Sequence, residues 1–142
     1  MTQITKNLHV TGIDTVREES TSQFDKVVTV CQENVSDNVG CEYSHYNMSD
    51  GESGYGGVCE YNMFKSAANE VYQSIMDNQK TLVHCHVGRS RSVSIATAVI
   101  ARDQNISRYT YALNKVKDKR EQASPNNELI EFIKQYINEY VE

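Results

Sequence analysis

Apolar residues along this chain recur at two periods, and the alternation between them predicts an α/β domain. Short runs rich in branched residues read as strands: Leu8 to Val10, Lys26 to Cys31 (KVVTVC), Glu42 to Tyr46 and Thr81 to His84. Phe64, Ala67, Ala68, Val71 and Ile75 recur at helical spacing and predict an amphipathic helix over about 62–78. Val93, Ile95, Ala96, Val99 and Ile100 make 92–101 a mostly apolar helix, the pattern of a buried one. Ser107 is placed to cap a third helix running to Arg120, with Tyr111, Leu113 and Val116 among its apolar positions. Ser124-Pro125 reads as an N-cap followed by proline at the first helical position. The helix it opens carries a strong stripe: Leu129, Phe132, Ile133, Tyr136, Ile137 and Tyr140. One long interruption, Asn47 to Gly57 (NMSDGESGYGG), has four glycines and predicts a mobile loop. Strands alternating with helices imply a central sheet, covered by the helix-rich C-terminal half.

Composition narrows this picture without changing it. At 142 residues the chain is a single domain, 1–142, with enough length for one core. No apolar run approaches the roughly 20 residues that span a bilayer, and Met1-Thr2-Gln3-Ile4 does not open a signal peptide. The expectation is a cytoplasmic monomer that inserts into no membrane. A net charge of -5 argues against nucleic acid as a partner. Lys115, Lys117, Lys119 and Arg120 are interrupted by Asp118 and read as a solvated helix face. The four cysteines (Cys31, Cys41, Cys59, Cys85) form no Cys-x-x-Cys pair, which disfavours zinc. Neighbouring His84, Cys85 and His86 point in different directions at a strand end, so no metal and no cofactor is expected.

Candidate chemistry concentrates where the last strand meets the buried helix. Cys85 is followed by a tight turn at Gly88, then Ser90, Arg91 and Ser92. Strand, loop and helix N-terminus make an anion site, and a cysteine at its base is expected as a thiolate nucleophile. The backbone N–H groups of His86, Val87, Gly88, Arg89, Ser90 and Arg91 would cradle the oxygens of a phosphoryl group. Arg91 adds a planar fork that lysine could not supply. Cys85 would attack phosphorus and form a phosphocysteine. Ser92 would hydrogen-bond the sulfur and help it leave. His84 is expected to order the loop through hydrogen bonds, since an ionised nucleophile needs no base. The leaving oxygen still needs a proton, and Asp50 in the glycine-rich loop is the first candidate, with Glu52 the second. The alternative for Asp50 is an ordinary Asp-Gly turn residue.

His84-Cys85-x-x-Gly88-x-Ser90-Arg91-Ser92 resembles the signature loop of the dual-specificity phosphatases, within the cysteine-dependent protein tyrosine phosphatase superfamily. The likeness extends over essentially the whole chain. Tyr43 and Asp50 have the family's spacing of a strand tyrosine and an acid loop, with Asp50 35 residues before Cys85. Ile95 to Arg102 fits its hydrophobic helix. Arg120, Pro125-Asn126 and Leu129 resemble its C-terminal arginine and Pro-Asn helix start. Val87 departs from a frequent alanine, Leu129 from a common phenylalanine, and the Asp50 loop is longer and richer in glycine than usual. The resemblance implies a mixed, mostly parallel sheet of four to five strands flanked by helices. It also implies Asp50 as the general acid. Low-molecular-weight tyrosine phosphatases have the reverse order of cysteine and acid, and full-size tyrosine-specific enzymes are much longer. A rhodanese-like sulfurtransferase or arsenate reductase fits the Arg91-Ser92 ending less well.

The expected partner is a phosphorylated protein, with phosphotyrosine first and phosphoserine or phosphothreonine second. His86 and Arg89 add positive character to the rim, which keeps phosphoinositides, RNA 5′-ends and small phosphorylated metabolites as alternatives. A non-catalytic phosphate binder is the alternative of another class. Cys31 ends a predicted central strand near the site. It is a candidate disulfide partner for Cys85, against the reading of a buried, inert thiol.

Overall fold

The branched runs assemble into a single sheet. In the computed structural model, which describes residues 1–51 and 57–142, the strands are β1 (Thr2–Gln3), β2 (Leu8–Thr11), β3 (Lys26–Thr29), β4 (Glu42–His45) and β5 (Thr81–His84). Their order is β1-β2-β5-β3-β4, with β1 antiparallel to β2 and every other pair parallel. This is the mixed, mostly parallel sheet expected. The helices are α1 (Ile13–Glu18), α2 (Tyr61–Met76), α3 (Arg91–Asp103), α4 (Tyr109–Lys119) and α5 (Asn127–Tyr140).

Alternation along the central strands explains the layering. Val28 and Val83 face the larger core with α2, α3, α4 and α5, whereas Val27 and Leu82 face a smaller one with Ile13 and Val16 of α1. Helix α3 is the axis of the larger layer: every residue from Arg91 to Ala101 is buried. Truncating Ile95 or Leu129, both fully buried, should cost about 2–5 kcal/mol. Among the described residues no helix is long and apolar enough to cross a membrane.

Register decides where the site lies. Thr11, Thr29 and His84 stand side by side at the C-terminal ends of β2, β3 and β5. The segments that follow these strands therefore meet at one edge, the edge where open parallel sheets place their ligands.

The structure departs from the pattern reading in a few places. Three short elements escaped it: β1, with two residues, α1, with six, and the 3-10 turn Ser36–Asn38, with three, are too short to show a period. Helix α5 begins later than Ser124-Pro125 implies. Asn126 is its N-cap, with Oδ1 accepting from the Glu128 N–H at 3.1 Å. Helix α4 is preceded by Arg108 rather than capped by Ser107. Tyr111 is exposed, and Arg120 is buried rather than part of a solvated face. The stem of the glycine-rich segment is pinned where Met48 bridges Val58. The mobility expected for its tip, and Glu52 as second acid, lie outside the described residues.

Candidate active site

The phosphate loop, residues 85–90, joins β5 to α3, and its shape depends on Gly88. That residue has φ of 77°, in the left-handed region that favours glycine. A Cβ there would lie 2.5 Å from Nη2 of Arg120 and 2.7 Å from the Thr11 carbonyl carbon. The turn aims the Gly88 N–H at Cys85 Sγ, 3.2 Å away. Ser92 Oγ lies 3.2 Å from the same sulfur. The sulfur thus has the Gly88 N–H and the Ser92 hydroxyl within reach, and it sits at the N-terminus of α3.

Two buried anchors hold this loop from outside. Arg120 Nε donates to the Gly88 carbonyl at 2.6 Å, and its Nη1 donates to Thr2 Oγ1 at 2.6 Å. The short β1 thus ties to the loop through an arginine more than 100 residues away. The second anchor is a directed chain of hydrogen bonds. His84 is buried and its pKa is lowered to about 4, mainly by that burial, so the ring is neutral. Its Nδ1 lies 3.1 Å from the Cys85 carbonyl, which can only accept, so Nδ1 carries the proton. Nε2 must then accept from Thr29 Oγ1 at 2.6 Å, and Thr29 in turn accepts from Tyr43 Oη at 2.7 Å. Tyr43 Oη accepts the Val35 N–H at 3.0 Å. The polarity of the whole chain is fixed, and His84 has no lone pair free to act as a base.

Above the sulfur is a small cavity of about 60 Å³, lined by Asp50, Cys85, Val87, Arg89, Ser90 and Arg91. Asp50 reaches it from the glycine-rich segment. Its Oδ1 accepts from Ser90 Oγ at 2.5 Å. Ser90 Oγ also accepts the Asn126 N–H at 2.8 Å, and Asn126 Nδ2 donates to the Asp50 carbonyl at 3.2 Å. The start of α5 therefore clasps the acid segment and the phosphate loop together. Asp50 Oδ1 is thus tied to the phosphate loop.

Arg91 is buried, and its Nη1 donates to Gln32 Oε1 at 2.8 Å and to the Met48 carbonyl at 3.1 Å. His86 does not line the small cavity. It is half exposed, with Nδ1 3.3 Å from Glu33 Oε1. The Glu33 carboxyl lies below its ordinary value. Burial pushes it up but is outweighed by hydrogen bonds from the Cys31 thiol and its own backbone N–H, and by His86 and Arg91. All four cysteines are free thiols. Burial first, then the bond to Glu33, push the Cys31 thiol up to about 12. Little thiolate exists there to attack an oxidised Cys85, which fits the inert-thiol reading. Among the described residues no group of three or more His, Cys, Asp or Glu is placed to hold a metal ion.

The pattern of residues picked out Cys85, Gly88, Arg91, Ser92 and Asp50, and these lie together. It missed the roles of Gln32, Thr2 and the Met48 carbonyl. The cap of α5 is Asn126, two residues beyond the Ser124 that the pattern indicates.

The description "Dual specificity phosphatase, catalytic domain" matches residues 6–139. A relative from Invertebrate iridescent virus 6, named as a tyrosine phosphatase (123R), is 30% identical over 135 residues, 95% of this chain and 90% of its own. The tyrosine-protein phosphatase yvh1 of Schizosaccharomyces pombe is 26% identical over 96% of this chain, which spans 41% of that protein's length. Human DUSP28 shares the fold with a TM-score of 0.82 at 17% identity, covering 98% of this chain and 96% of that one. The family match runs through β2 to α5 and includes the cysteine loop, so the chain belongs to the dual-specificity phosphatase family and is a cysteine-dependent protein phosphatase.

Proposed function

We propose that this chain hydrolyses phosphomonoesters of phosphoproteins in the cytoplasm, phosphotyrosine foremost, in two displacement steps at Cys85. The observation that carries the proposal is the small cavity that Cys85, Arg91 and Asp50 line together. In the first step Cys85 Sγ attacks phosphorus. The S–P bond forms, the P–O bond to the substrate breaks, and Asp50 gives its proton to the departing oxygen. The backbone N–H groups of 86–91 and the Arg91 fork hold the three equatorial oxygens. In the second step water attacks phosphorus and gives its proton to Asp50. The S–P bond breaks with its electron pair returning to sulfur, helped by the hydrogen bond from Ser92 Oγ.

The rim supports a protein substrate over a polyphosphate. His86 is turned to Glu33, and the Arg120 guanidinium is turned inward to Gly88 and Thr2. Among the described residues, Arg89 is the one cation on the lining of the small cavity that is also exposed. A panel of phosphotyrosine, phosphoserine, phosphothreonine, phosphoinositide and nucleotide substrates tests the reading. Phosphotyrosine peptides should be turned over fastest, with a burst of phenolate from aryl phosphates. Faster release of phosphate from a phosphoinositide would reassign the substrate. Binding of phosphopeptide with no turnover of any substrate would make the chain a binder.

A further inference from the structure

The phosphate-binding arginine is held in an unusual electrostatic setting. Its Nη1 carries two N–H donors, and both are engaged, one by Gln32 Oε1 and the other by the Met48 carbonyl. Both acceptors are neutral. Among the described residues Arg91 forms no ion pair with a carboxylate, although it is buried. A carboxylate stands one residue from Gln32, but Glu33 is drawn aside by the Cys31 thiol and by His86.

Two consequences follow from this arrangement. With Nη1 saturated, the plane of the guanidinium cannot turn about its own axis, and among the described residues nothing engages the Nε–H and Nη2–H edge, which is left to face a ligand. That edge is the bidentate one. With neutral acceptors on Nη1 and the nearby Glu33 carboxylate making no ion pair with it, the cation's charge stays available to the phosphoryl oxygens. A glutamate at position 32 could hold the same geometry, but it would pair with the cation and compete with the substrate for it.

We infer that Gln32 is a positioning residue for phosphate recognition: its side-chain amide oxygen fixes the Arg91 fork without neutralising it. This inference rests on the proposed role of Arg91 in holding phosphate. Its test does not need turnover.

The experiment is titration calorimetry with inorganic phosphate at pH 7.5 on three proteins: the unaltered chain, Gln32→Met and Gln32→Glu. Methionine keeps the length of the side chain and removes the strong acceptor. Glutamate keeps length and acceptor and adds a charge. Both variants should bind phosphate about tenfold more weakly, the size expected when a hydrogen bond to a charged group is lost or its charge is offset. Their thermal midpoints should stay near that of the unaltered protein, because Gln32 lies at a partly exposed loop position. With an aryl phosphate, Gln32→Met should raise KM and leave kcat little changed, since the fork serves ground and transition states alike. Unaltered phosphate affinity in Gln32→Met would overturn the positioning role. Unaltered affinity in Gln32→Glu would overturn the charge argument. If the protein hydrolysed nothing but bound phosphate with these differences, the catalytic reading would fail and this one would stand.

Discussion

The two walls of the phosphate cavity are built on different principles. The cysteine wall is locked from behind by buried groups: the Tyr43-Thr29-His84 chain ends on the Cys85 carbonyl, and Arg120 ends on the Gly88 carbonyl. The acid wall is a glycine-rich segment held to the site by the polar contacts of Ser90 and Asn126 with Asp50. One wall binds an anion of fixed shape and gains from being rigid. In the proposed mechanism the other meets a leaving group, passes it a proton and releases it, so contacts of modest strength would suit it. The difference teaches that binding and proton transfer can be altered separately here.

The largest expected effect is on the rigid wall. Cys85→Ser should lower turnover of an aryl phosphate by roughly 10⁴-fold or more, because the nucleophile is lost. Stopped-flow should show no phenolate burst, while phosphate binding persists. A burst that survived the change would place the nucleophile elsewhere.

On the acid wall, Asp50→Ala should slow substrates with poor leaving groups by about 10²–10⁴-fold and barely affect good ones. A series of aryl phosphates reads this directly as a steeper dependence on leaving-group acidity. Equal slowing across the series would remove Asp50 from proton transfer and erase the contrast between the walls.

The buried chain predicts a pH effect on stability. The His84 pKa is lowered from 6.5 to about 4, so its stabilising contribution is complete above pH 6.5 and is lost as pH falls from 6.5 through 4. Over that window the unfolded chain binds a proton that the fold excludes. The loss should reach about 3 kcal/mol. Denaturant unfolding at a series of pH values should show this extra slope in the unaltered protein and not in His84→Asn. Identical slopes in both would mean that His84 is not held neutral.

The smallest effect belongs to the clasp. Asn126→Ala removes the cap on α5 and the bond to the Asp50 carbonyl, and should cost about 1 kcal/mol of stability. It should slow poor leaving groups by about fivefold to tenfold and leave phosphate affinity unchanged. Weaker phosphate binding in this variant would show that the two walls are one mechanical unit.

Much of the rigid wall was legible in the chain because it is local. The run into β5, the turn at Gly88 and the apolar helix α3 are consecutive, and their chemistry depends on spacing. The partners that hold them are not local. Gln32 meets Arg91 across 59 positions, Asn126 meets Asp50 across 76, and Thr2 meets Arg120 across 118. Hydrophobic periodicity carries no information about such pairs. The helix start at Asn126 shows the same limit on a small scale. Serine then proline fits a cap on propensity alone, yet the Ser124 N–H is engaged by the Arg89 carbonyl, and the turn opens two residues later.

The tie between Asn126 and Asp50 has a consequence for the life of the chain. During synthesis Cys85 and its loop emerge well before residues 124–126, so the nucleophile exists before its proton donor is seated. In the proposed mechanism, docking of α5 is what completes the seat of Asp50 against the phosphate loop. A chain that stopped before Asn126 would keep the Ser90 bond to Asp50 but lose the clasp that holds the acid segment to the loop.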